Sequence, residues 1–260
     1  MSEHRARKRF GQNFLRDERV IERIVAAINP KPGETLVEIG PGQGALTWPV
    51  LQRCHALTVI EIDRDLVPRL RAEAASRGAA LEVIEADVLT VDFSALAAGR
   101  RLRVIGNLPY NISTPVLFHL LEHSAVIQDM HFMLQKEVVE RMAAEPGSKA
   151  FGRLSVALQA RCTVSSLFRV APGSFWPVPQ VDSAIVRLQP RHDAAVEALA
   201  PDLDRILRAA FNQRRKTLSN TLKGVLELDA IHACHIDPQR RPEQLSVEEF
   251  LALARQLRGG

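Results

Sequence analysis

The chain has 260 residues, 46% hydrophobic and 25% charged, with a formal net charge of +4. Such a length suits one large domain with a small appendage, and the composition is that of an ordinary globular chain. No apolar run reaches the ~18 residues of a membrane-spanning helix, and Cys54, Cys162 and Cys234 are too scattered for a disulfide framework or a zinc site.

Val20, Ile21, Ile24, Val25 and Ile28 recur at helical spacing, and the run Asn29 to Gly33, rich in proline, ends that helix. Thr35 to Ile39 reads as a short buried strand, followed by a glycine loop and an apolar helix from Ala45 to about Arg53. A strand over Leu57 to Ile62 and a helix over Leu66 to Ser76 come next. Leu81 to Ile84, Leu102 to Ile105 and Met130 to Leu134 are further strands. Pro115 to His123 is a helix with proline in its first turn, and Leu154 to Arg161 is another. Thr163 to Val170 and Ser183 to Leu188 read as late strands with no clear helix between them. This alternation predicts an α/β fold, a doubly wound and mostly parallel sheet with an antiparallel edge. From His192 onward the pattern becomes helical. One helix carries Leu203, Ile206, Leu207, Ala210 and Phe211, and a second carries Leu218, Leu222 and Val225. A third, Val247 to Leu257, is opened by Ser246 with Glu249 three residues on. The expected division is therefore 1–190, including a basic segment 1–16, and an all-α domain over 191–260.

Glu38-Ile39-Gly40-Pro41-Gly42-Gln43-Gly44 follows a strand and opens a helix. Gly40 and Gly42 let the backbone approach a ligand closely. The spacing is G-x-G-x-G, which departs from the dinucleotide fingerprint G-x-G-x-x-G and disfavours a nicotinamide-dependent oxidoreductase. Glu61 ends the next strand, where a carboxylate can accept both ribose hydroxyls. Asp87, after the third strand, is placed to accept from an adenine amine. Together they indicate an adenosine-bearing ligand.

Asn107-Leu108-Pro109-Tyr110 follows the apolar run Leu102, Val104, Ile105. The Asn107 side-chain oxygen and the Leu108 carbonyl can each accept one N–H of an exocyclic amine. Pro109 fixes the direction of that carbonyl, and Tyr110 can stack on a base. Such an amine is a poor nucleophile, so the chemistry asks for alignment with a reactive methyl donor more than for a base. Phe175, in a loop stiffened by Pro177 and Pro179, is the candidate second ring. Arg5, Arg7, Lys8 and Arg9, and separately Arg214, Arg215 and Lys216 with Lys223 beyond, are basic clusters that favour a polyanionic partner.

Lys8-Arg-Phe-Gly-Gln-Asn-Phe-Leu15, Glu38 to Gly44, Asn107 to Tyr110, Phe175-Trp-Pro-Val-Pro-Gln-Val-Asp-Ser183 and Phe211-Asn-Gln-Arg-Arg-Lys-Thr-Leu218, in this order, resemble the ribosomal RNA adenine N6-dimethyltransferase family. The match is best to its bacterial small-subunit (16S) branch, and the segment Phe211 to Leu218 favours that branch over the 23S enzymes. The resemblance implies a Rossmann-like class I methyltransferase with a seven-stranded sheet and S-adenosylmethionine as donor. It implies that Gln12, Asn13 and Leu15 contact the donor from the N-terminal segment, and that Gly40 and Gly42 admit its methionine part. Glu61 would hold the ribose, and Asp87 with Val88 the adenine. Asn107 and the Leu108 carbonyl would bind the target N6, enclosed by Tyr110 and Phe175. The implied substrate is two adjacent adenosines in the 3′-terminal hairpin loop of 16S rRNA, in a 30S subunit or its precursor. Arg214, Arg215, Lys216 and Lys223 would contact the RNA. The basic N-terminus lacks the apolar core of a signal peptide. A cytoplasmic monomer with no membrane partner is the expectation. Leucine at position 108, where related amine sites often carry proline, suggests a more adaptable acceptor that readmits a monomethylated amine.

Overall fold

The computed structural model describes residues 13–213 and 215–259. The chain divides into two compact units, Met1–Val139 with Ser165–Gln189, and Glu140–Val164 with Pro190–Gly260.

In the first unit β1 (Phe14–Leu15) leads into α1 (Glu18–Ile28). Asp17 caps that helix by accepting from the Arg19 and Val20 N–H groups, and Asn29 closes it in the left-handed region at φ 49°. Then follow β2 (Thr35–Ile39), α2 (Thr47–Cys54), β3 (Ala56–Glu61), α3 (Val67–Arg77) and β4 (Ala80–Glu85). The series continues with α4 (Phe93–Ala97), β5 (Leu102–Asn107), α5 (Ser113–Glu122), β6 (Ile127–Gln135) and α6 (Lys136–Met142). After α7 (Arg153–Arg161) come β7 (Cys162–Val170), β8 (Phe175–Trp176) and β9 (Ser183–Pro190).

Seven strands form one sheet in the order β4-β3-β2-β5-β6-β9-β7. The pairs β2–β3, β3–β4, β2–β5 and β5–β6 are parallel. The β6–β9 pair is antiparallel, so the expected antiparallel edge is present. Residues Leu102 to Ile105 of β5 are all buried, as a central parallel strand covered on both faces requires. Chain order runs outward from β2 to β3 and β4 on one side and to β5 and β6 on the other. The strand order reverses between β2 and β5, and in open α/β sheets ligands bind beyond the carboxyl ends of the strands at such a point.

At the other end of β5 a buried ionic network ties strands and helix together. Arg103 donates Nε to Asp129 Oδ1 at 2.8 Å and Nη2 to Asp129 Oδ2 at 3.0 Å. It also reaches Glu34 at 2.7 Å and the Ile28 carbonyl at 2.6 Å. Arg187, from β9, shares Asp129 at 3.2 Å.

β1 and β8 form a separate antiparallel ribbon, with Phe14 opposite Trp176 and Leu15 opposite Phe175. The Arg16 N–H donates to the Ser174 carbonyl at 2.8 Å, and Ser174 Oγ to Asp17 Oδ2 at 3.2 Å. Thus the loop before β9 fastens the chain between β1 and α1.

The second unit contains α7, α8 (Ala194–Ala198), α9 (Ala200–Ala210), α10 (Leu218–Thr221), α11 (Leu228–Ala233) and α12 (Val247–Gly259). Ser246 and Glu249 make the expected reciprocal cap: Ser246 N–H donates to Glu249 Oε2 at 2.7 Å, and Glu249 N–H to Ser246 Oγ at 3.1 Å. Two sequence expectations need correction here. The division at residue 190 puts α7 with the sheet, yet 140–164 belongs to the helical unit. Seven of the nine residues of α7 are buried, and the helix packs on α9 and α12, so chain order misleads where a unit is discontinuous. The helix expected through Leu218, Leu222 and Val225 stops at Thr221, because Gly224 turns the chain at φ 78°.

Candidate active site

A cavity of about 270 Å³ opens at the carboxyl ends of β2 to β5, close to the lower end of small-molecule sites, about 300 Å³. The sequence-derived residues converge there. Gly40 and Gly42 come from the β2 loop, Glu61 from β3, Asp87 and Val88 from the segment after β4, and Asn107 to Tyr110 from the end of β5. Asn13 and Leu15 of the N-terminal segment close one side. Gln12, Arg214 and the cluster Arg5 to Arg9 lie outside the described residues.

Glu61 organises the glycine loop. Its Oε2 accepts from Gly42 N–H at 3.1 Å and its Oε1 from Asp63 N–H at 2.9 Å. Each oxygen retains a second acceptor position, the pair a ribose diol needs. Burial pushes the Glu61 carboxyl up, and the two backbone N–H bonds oppose this. Gly42 has φ +59°, and a Cβ there would meet the Phe14 ring at 3.2 Å. The loop therefore passes close under an aromatic lid. Asp87 Oδ1 caps the turn that follows by accepting from Leu89 N–H at 3.0 Å. Among the described residues nothing donates to its Oδ2, which is left for an exocyclic amine.

Sequence reasoning missed three wall residues. Ile62 and Leu89 are 47% and 37% exposed, unusual for large aliphatics, and both line the cavity. They supply apolar surface on which a purine can lie. Their signal is adjacency, Ile62 following Glu61 and Leu89 following Asp87-Val88. The third is Glu38, 2% exposed, which accepts from Thr47 Oγ1 at 2.7 Å. Burial pushes its carboxyl up to about 7; the Thr47 bond opposes that, and the nearby Glu61 adds to it.

At the end of β5 the Asn107 amide is oriented by the N-terminal segment. Its Nδ2 donates to the Asn13 carbonyl at 3.1 Å, so Oδ1 is the atom left to accept. The Leu108 N–H donates to the Met133 carbonyl at 3.2 Å. No group among the described residues donates to the Leu108 carbonyl. Two acceptors thus sit one residue apart, both fixed by β5 and β6. Tyr110 is anchored at its hydroxyl by Ser183 Oγ at 2.9 Å, which holds the ring in one orientation; burial pushes the phenol up.

Phe175 is not among the residues that line the cavity; it is 3% exposed and packs in the core cluster with Leu15, Val170 and Ile185. The Leu108 side chain is buried, 1% exposed, and its N–H is bonded to the Met133 carbonyl. Arg215, Lys216 and Lys223 are exposed residues of the helical unit, between α9 and α11.

The donor set fits S-adenosylmethionine. Carboxylates and apolar walls offer acceptors and surface for an adenosine, and Gly40, with nothing within 4 Å of where a Cβ would stand, leaves room for the methionine portion.

Known proteins agree with this geometry. The family model described as ribosomal RNA adenine dimethylase matches residues 3–258. A relative from Xanthomonas oryzae pv. oryzae named ribosomal RNA small subunit methyltransferase A is 57% identical over 252 residues, 96% of this chain and 95% of its own length. The same name is carried by a relative from Xanthomonas axonopodis pv. citri at the same identity and coverage. Among solved structures, a dimethyladenosine transferase from Plasmodium falciparum superposes with a TM-score of 0.80 at 26% identity, over 92% of this chain and 95% of its own. The 23S rRNA methyltransferase ErmE gives 0.71 at 26% identity, over 95% and 100%.

Proposed function

The chain belongs to the ribosomal RNA adenine dimethylase family, and from that premise we propose that it dimethylates adenine N6 in 16S rRNA with S-adenosylmethionine as methyl donor. The finer reading is that the targets are two adjacent adenosines of the 3′-terminal hairpin loop, presented in a 30S subunit or its precursor. Exposed Arg215, Lys216 and Lys223 of the helical unit are then available to phosphates. A cytoplasmic monomer is consistent with that substrate.

One observation carries the reading. The Asn107 Nδ2 donor is taken by the Asn13 carbonyl, leaving Oδ1 and the Leu108 carbonyl as paired acceptors. Bound in the cavity, S-adenosylmethionine supplies a methyl group on a positively charged sulfur, an electrophile that needs no further activation. The two acceptors take the two N–H bonds of the target amine, which turns the nitrogen lone pair out of conjugation and along the remaining direction. They also stabilise positive charge as it develops on N6. Tyr110, held by Ser183, stacks on the extruded base. As the C–N bond forms, the methyl–sulfur bond breaks and its electron pair returns to sulfur, leaving the neutral thioether; neither acceptor is a base, so the N6 proton then departs to water.

The test is Asn107→Ala with labelled donor and undermethylated 16S rRNA. Methyl transfer should fall by a factor on the order of 10² to 10³, as for loss of a transition-state hydrogen-bonding group. A variant that keeps the full dimethyladenosine yield contradicts the assignment.

A further inference from the structure

We propose that Trp176 and Arg16 form a stacking platform at the rim of the amine site that takes the nucleotide next to the target adenosine. This rests on the RNA substrate of the preceding section.

Alternation along the β1–β8 ribbon sorts its side chains. Leu15 and Phe175 face the core; Phe14 and Trp176, opposite each other, share the other face. Phe14 lies against Gly42, and both Phe14 and Leu15 line the donor cavity, so the ribbon borders it. Of the two β8 residues paired with them, Trp176 is the exposed one, at 39% where Phe175 is 3%. Arg16 lies two residues beyond Phe14, and its guanidinium carbon stands 4.7 Å from the Trp176 ring centroid. The Arg16 backbone is pinned by Ser174 at 2.8 Å, so this pair is mounted on a fixed ribbon. The same loop exposes Val178 at 63% and Val181 at 45%, extending the apolar surface away from the cavity.

Asn13, the residue before this ribbon, orients the amide that receives the amine. The ribbon is thus continuous with the catalytic turn. Extruding one base from an RNA loop leaves its neighbour without a stacking partner. A tryptophan with an arginine over its ring offers that neighbour a flat aromatic and guanidinium surface to stack on, which fits a single-stranded nucleotide.

The chain has two tryptophans, so Trp48→Phe leaves Trp176 as the sole indole reporter. Titration of that protein with a single-stranded oligonucleotide bearing the adjacent adenosines should quench its emission, whereas S-adenosylmethionine alone should not. In otherwise unaltered protein, Trp176→Ala and Arg16→Ala should raise the KM for undermethylated RNA roughly tenfold, as for one lost base–aromatic stack, and leave the donor Kd unchanged. Trp176→Phe should restore most of the KM, whereas Arg16→Lys, lacking a plane, should not. Unquenched emission overturns the platform, as does a Trp176→Ala KM equal to wild type. So would self-association relieved by Trp176→Ala without RNA quenching, which would mark a protein interface. Quenching needs no turnover, so a wild type that binds the oligonucleotide but transfers no methyl would count against the proposed function and not against the platform.

Discussion

Gly42 couples the donor site to the N-terminal segment. Its φ of +59° strains any other residue, and an added Cβ would press on the Phe14 ring at 3.2 Å. Gly42→Ala should destabilise the sheet unit by about 1–3 kcal/mol, the cost of a non-glycine residue held in the left-handed region; urea unfolding reads this, and an unchanged midpoint counts against the close approach. Leu108 shows how a residue argument changes once its neighbours are known. Proline there would forfeit the 3.2 Å bond to Met133 and vacate a buried side-chain site. That substitution tests stability before it tests the number of methyl groups added. Glu38, inside the strand Thr35 to Ile39, carries no local signal in the sequence. Only its burial beside Glu61 and its bond to Thr47 give it meaning.

Among elements, the long ones were legible and the short ones were not. The stripe at residues 20, 21, 24, 25 and 28 delivered α1, and continuous apolar runs delivered the central strands. β1 and β8 are two residues each and pair across some 160 positions, which no local period can reveal. Only that pairing tells which of Phe175 and Trp176 faces the core. The Asn107 turn was readable as chemistry, but the orientation of its amide was not, since that depends on the Asn13 carbonyl. The Arg103–Asp129 network was not read at all. It holds β5 to β6 at the end away from the site. Asp129→Ala leaves two arginines without their shared carboxylate and should destabilise the sheet unit by about 3–5 kcal/mol, with donor affinity retained in the protein that remains folded. Urea unfolding measures the first and calorimetry the second. A cost below about 1 kcal/mol would show that the network is solvated.

At the scale of the whole molecule, two buried groups set opposing pH dependences. His131 is 3% exposed, with its Nδ1 3.9 Å from an Asp129 carboxylate oxygen. Burial first, then Arg103 and Arg187, push it down to about 4, against the attraction of Asp129. Its neutral form is favoured in the fold, so its contribution is present above the ordinary histidine pKa and is lost as pH falls toward 4. Glu38, raised to about 7, behaves in the opposite sense. Its contribution is complete below the ordinary carboxylate pKa and is lost as pH rises through 7. The windows overlap, so the two contributions oppose one another across them. Glu38→Gln should expose a rise in stability with pH, and His131→Phe a fall, each of about 3 kcal/mol, read from urea midpoints across that range. Parallel curves for both variants would contradict the assignment. The central claim, an amine site that dimethylates adenine N6 of small-subunit RNA, is tested most directly by labelled methyl transfer from S-adenosylmethionine to undermethylated 30S subunits, naked 16S rRNA and 23S rRNA, with nucleoside analysis of the products. The account predicts dimethyladenosine in small-subunit RNA and none in 23S rRNA. Transfer to neither small-subunit substrate, or to 23S rRNA alone, would contradict it.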